Sequence, residues 1–124
     1  MNHSTMKPAL AFAIALFLAP LAVPGADKPT ADQIAFFENK IRPILAENCL
    51  ECHSAAKRKT KGGLSMDNRE DMRRGGESGA ILKPGDPDNS PMIAAVEWRG
   101  DTQMPPKKHL SAEQIADLKK WIAM

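Results

Sequence analysis

Three observations predict an all-α fold of three to five helices joined by long loops. Two segments carry apolar residues at helical spacing behind a capping box. No segment alternates apolar and polar residues as a half-buried strand would. Six of the eight glycines fall within residues 54–87, an aperiodic stretch that therefore reads as loop rather than core.

The first helix opens at Thr30, where Gln33 completes the box. Ile34, Phe37, Ile41, Ile44 and Leu45 then share one face. Pro43 either kinks this helix or starts a new segment running into Cys49. Ser54 to Pro87 is expected as loop, with a helical turn around Asn68 to Met72. Ser90 followed by Pro91 is an N-cap with proline in the first helical position, opening a short helix through Trp98. Gly100 to Leu110 is a loop carrying Met104-Pro105-Pro106. Ser111 caps the last helix with Gln114 completing its box, and Leu110 and Ile115 supply the hydrophobic staple. Ile115, Leu118 and Ile122 form its apolar face, and Lys119 and Lys120 come late, where the helix dipole favours them. Trp121 lies beside that face, placed to meet Phe36 or Phe37.

Residues 1–26 have the pattern of an export signal. Lys7 gives a positive start, Ala9 to Ala19 an apolar core, and Pro20, Pro24, Gly25 and Ala26 a cleavage region. The apolar run is short and soon broken by proline, so cleavage is expected rather than a membrane anchor. Residues 27–124 are then one small domain, periplasmic, and bound to the membrane only if the signal is retained. The formal charge of the whole chain is +2, and losing Lys7 lowers it by one. An exported, near-neutral domain without aromatic residues among its basic ones is not a nucleic-acid binder.

Both cysteines lie in Cys49-Leu50-Glu51-Cys52-His53, a C-x-x-C-H run. In an exported chain this reads as the attachment site of one covalent haem c. Residues i and i+3 share a face of a helical turn, so both thiols reach one haem edge, and the histidine that follows is placed at an axial position of the iron. The rival readings are weaker. A Cys49–Cys52 disulfide closes a short, strained loop and leaves His53 unexplained. A thioredoxin-type pair wants a βαβ setting. A structural zinc site wants four ligands, against Cys49, Cys52, His53 and at most His109.

The other axial position decides the chemistry. Met104 is favoured, because it lies in a loop about fifty residues past the motif with two prolines stiffening the backbone behind it. A thioether opposite histidine favours reduced iron. His109 is the competing ligand, and an open sixth position would suit gas binding or peroxide chemistry. Lys57, Arg58, Lys59 and Lys61 form a basic cluster after the motif that is either a docking patch for an acidic partner or a solvated loop. Arg73 and Arg74 are candidate partners for the haem propionates.

The sequence resembles the planctomycete-type cytochrome c domain, a class I-like mono-haem domain. The resemblance is carried by Phe36 to Leu45 leading into the haem motif, then Lys61-Gly62-Gly63-Leu64, Asp67, Gly75-Gly76, Gly79, Pro84-Gly85-Asp86-Pro87 and Ser90. It ends with Met104-Pro105-Pro106, Leu110-Ser111 and Trp121-Ile122. The resemblance implies His53/Met104 ligation and a small class I fold around the haem. In that family the domain usually leads a longer chain, whereas this sequence ends three residues past Trp121. The expectation is a stand-alone carrier of single electrons between redox partners, such as an exported dehydrogenase or a terminal oxidase, and not an enzyme. The alternatives are a haem enzyme or gas or redox sensor with an open sixth site, and the haem subunit of an exported dehydrogenase complex.

Overall fold

A computed structural model describes Met1 and residues 28–124; the expected signal lies outside the described residues. Helix α1 (Ala31–Phe36) starts at Thr30. The Gln33 N–H donates to the Thr30 hydroxyl at 3.2 Å, and the Thr30 N–H donates to the Gln33 side chain at 2.8 Å. One turn of π-helix, Phe37–Ile41, joins it to α2 (Arg42–Asn48). That turn answers the question Pro43 raises. The Arg42 N–H bonds to the Phe37 carbonyl, five residues back, and Pro43 follows in the first turn of α2, where its missing N–H costs nothing.

After the haem motif, His53–Ser54 (β1) pairs antiparallel with Lys59–Thr60 (β2), His53 opposite Thr60. The expectation of a small helical fold holds at the level of a helix-rich domain, to which this one small ladder is added. Two residues per strand are too few to produce a period of two, so the ladder left no pattern in the sequence. Helix α3 (Arg69–Arg74) occupies the expected turn and extends past it; the Asn68 side chain caps it by accepting from the Asp71 N–H at 2.9 Å.

Helix α4 (Pro91–Val96) begins at Pro91 but ends before Trp98. Ser90 does not cap it with its side chain. Its buried hydroxyl instead accepts from the Lys83 N–H and donates to the Asp86 carbonyl, both at 2.9 Å, fastening the preceding loop to the helix start. Helix α5 (Ala112–Ala123) has the expected capping box, with Gln114 N–H to Ser111 Oγ at 3.1 Å and Ser111 N–H to Gln114 Oε1 at 3.0 Å.

The core is where the helical faces converge. Ile41 from the π-turn, Ile93 from α4 and Leu118 from α5 are fully enclosed, with Ile44, Leu45 and Ile122 around them. Ile34, expected on the same face, is 49 % exposed. Phe37 and Trp121 lie 5.7 Å apart between ring centroids, as expected of the Trp121 position. None of the described helices is long and apolar enough to cross a membrane.

Candidate haem site

Helix α2 delivers the motif. Its last residue is Asn48, and the next five residues form a separate turn: the Cys49 carbonyl accepts from Cys52 N–H at 3.1 Å and from His53 N–H at 3.0 Å. Cys49 and Cys52 are thus one helical turn apart, as their spacing predicts, and both are free thiols. Burial pushes the Cys49 thiol up to about 11. The segment after the motif is knitted back onto it. The Lys61 N–H donates to the Cys52 carbonyl at 3.1 Å, and the Met66 N–H to the His53 carbonyl at 2.8 Å. Asp67 accepts from the Ala56 N–H at 3.0 Å, and its hydrogen bonds, that from Ser54 foremost, hold its carboxyl below the usual range.

Cys49, His53 and Met104 line one cavity of about 490 Å³. Leu64, Met66, Ile81, Met92 and Val96 make its walls predominantly apolar. None of these five was legible as a site residue, because they come from three separate stretches, 64–66, 81 and 92–96, and each reads singly as core. Gly62, Gly76 and Gly79 complete one wall. There a Cβ on Gly76 would lie 2.4 Å from the Gly62 carbonyl oxygen. The His53 Nδ1 is buried without a partner among the described residues. An apolar cavity with a half-buried imidazole, a thioether and a thiol along its lining fits a haem, whose iron takes nitrogen and sulfur ligands.

The remaining candidates fall elsewhere. Cys52 shares the motif turn but does not line the cavity. His109 does not line it either; its ring stacks on Trp98 at 3.9 Å between centroids. Arg74 pairs with Asp71, and neither Arg73 nor Arg74 is among the residues that line the cavity. The cations that do line it are Lys61 and Arg99. In the basic cluster, Lys57 and Lys59 both pair with Glu51, whose carboxyl is lowered by the Lys59 hydrogen bond first. Among the described residues no three His, Cys, Asp or Glu side chains converge to hold a metal ion.

Residues 49–108 match the family model described as Planctomycete cytochrome C. That match supports a planctomycete-type cytochrome c domain over residues 49–108. A cytochrome c domain is a haem-binding, electron-transfer domain, and the haem is held covalently. No curated protein and no solved structure matches the chain. The matched segment runs from the first cysteine of the motif to just past Met104-Pro105-Pro106, so it contains every residue of the cavity wall named above.

Proposed function

We propose that this cytochrome c domain is an exported, mono-haem carrier of single electrons, and not an enzyme. Cys49 and Cys52 hold the haem through thioether links, and His53 and Met104 are the axial ligands of its iron. The observation that supports this reading is the cavity that Cys49, His53 and Met104 all line. When bound, the haem supplies a one-electron Fe(III)/Fe(II) couple, and a thioether ligand raises its potential. The protein's part is to hold both ligands in unchanged geometry and to keep bulk water from the apolar walls.

The partner is a redox protein with an acidic surface, such as an exported dehydrogenase or a terminal oxidase. Arg58, Lys61, Lys107 and Lys108 make no ion pair among the described residues, and Lys61 and Met104 flank the same cavity. These cations steer an acidic partner towards that edge, through a weak, salt-sensitive interface.

One observation favours a second reading. Met104 is 36 % exposed and its backbone is held by one hydrogen bond, Met104 N–H to the Ala95 carbonyl at 3.0 Å. A sulfur held so lightly would leave a labile sixth position, as a haem sensor or haem enzyme requires.

Spectra of the holoprotein separate the two. In the carrier, the ferric form shows the weak long-wavelength sulfur-to-iron charge-transfer band, and the reduced form binds carbon monoxide poorly. Met104→Ala abolishes the band and admits carbon monoxide, and Met104→His lowers the potential. A high-spin ferric spectrum that Met104→Ala leaves unchanged would sink the carrier reading.

A further inference from the structure

The chain leaves the core after Val96 and returns at Leu110, both buried, and Met104 lies between. The two limbs of this loop are held differently. The first limb is bonded to the last turn of α4, through Arg99 N–H to the Ala94 carbonyl at 2.8 Å and Met104 N–H to the Ala95 carbonyl at 3.0 Å. Glu97 braces it, accepting from Arg99 at 2.5 Å and from Lys119 of α5 at 2.7 Å. The second limb, Pro105 to Leu110, makes no hydrogen bond among the described residues. What crosses the base of the loop is the stack of Trp98 on His109.

Trp98 is an unfavourable residue at its position on two independent counts. Its φ is +56°, a left-handed conformation that strains a bulky side chain and that glycine would adopt freely. Its indole Nε1 is buried with no partner, which phenylalanine in its place would avoid. Strain and an orphaned donor kept at one position point to a role other than stability. Neither ring lines the cavity, so both act through the loop rather than on the iron.

We infer that Trp98 and His109 are positioning residues that clasp the loop and set how long Met104 stays on the iron. The inference rests on the His53/Met104 reading. With the stack in place, the mobile part of the loop is confined between residues 98 and 109, and sulfur that leaves the iron is returned by a short tether. Without it, the second limb swings from Leu110.

The rate at which imidazole displaces Met104 from the ferric holoprotein reads the clasp directly, once imidazole is concentrated enough that loop opening limits the rate. His109→Ala, an exposed position, is expected to raise that limiting rate roughly three- to tenfold, the range an aromatic stack supports. Trp98→Gly, which also relieves the backbone strain, is expected to raise it similarly even where it raises the melting temperature. Trp98→Phe keeps a ring without the indole N–H and is expected to stay within about twofold of the parent. A purely structural Trp98 would make the rate follow stability across the three variants, and that result overturns the clasp. So do unchanged rates in both His109→Ala and Trp98→Gly with the charge-transfer band intact. If the parent lacks the band, the ligation reading has failed first, and the clasp falls with it.

Discussion

A Cβ at Gly75 would stand 2.0 Å from the Gly79 carbonyl oxygen, at φ +76°; at Gly85 it would meet nothing within 4 Å, at φ +81°. The two residues separate crowding from conformational strain. Gly85→Ala is expected to cost about 1–2 kcal/mol, the strain of a left-handed alanine. Gly75→Ala adds a backbone collision that no side-chain rotation relieves, and a loss above about 3 kcal/mol is expected. Urea unfolding of the holoprotein measures both; equal losses would refute the crowding argument. Because the adjacent Gly76 packs against Gly62 in the lining of the cavity, Gly75→Ala is also expected to weaken haem retention, whereas Gly85→Ala is not. The sequence marked these glycines through resemblance alone. For Gly76 the physical reason, two chain segments approaching within a hydrogen bond (Glu77 N–H to the Gly62 carbonyl, 2.8 Å), is a tertiary fact that no local pattern encodes.

Among the elements, α1 and α5 were legible because their signals are local: a cap, a box partner and an apolar face all lie within a few residues. Replacing Ser111 with alanine is accordingly expected to cost about 1 kcal/mol, read as a shift in the unfolding midpoint without a change in slope. Ser90 shows the opposite case. It has the residue type and the following proline of a cap, yet its hydroxyl is taken by Lys83 and Asp86, a choice set by a loop the sequence left without form. Lys119 departs from expectation in the same way: rather than serving the helix end, it reaches Glu97 and Asp88 and ties α5 to the Met104 loop. Those contacts, the Lys119 hydrogen bond first, hold the Glu97 carboxyl below its ordinary value of 4.5. A lowered folded pKa means the stabilisation is present above 4.5 and is lost as pH falls through the folded value. Glu97→Gln is therefore expected to destabilise the protein at neutral pH and to converge with the parent well below that value. A difference that persists unchanged into acid would show that the Glu97 contacts contribute nothing through charge.

At the scale of the whole molecule, the question is what fills the middle of a domain this small. Its enclosed side chains are few, and Met66, Met72 and Met92 among them are adaptable fillers rather than rigid ones. The chamber of about 490 Å³ lies against that core, with Met66, Met92 and Val96 belonging to both. Without a haem those apolar walls face water, and covering them contributes about 25 cal/mol for each Å² removed from it. The motif announced the haem; it did not announce that the fold depends on it, because the walls come from segments that meet only in the folded state. Cys49→Ala/Cys52→Ala, which leaves the haem removable, tests this dependence. Stripped of haem, the double variant is expected to lose the cooperative urea transition of the holoprotein and much of its far-ultraviolet helical signal, and to regain both when haem is added back, since a group bound only by the native state stabilises it. The contact of the π-helical turn with α5 through Phe37 and Trp121 lies away from the chamber, so the tryptophan emission of Trp121 is expected to change last as haem is withdrawn. A stripped protein that unfolds at the holoprotein's urea concentration would mean the walls collapse onto one another and the core stands without the haem.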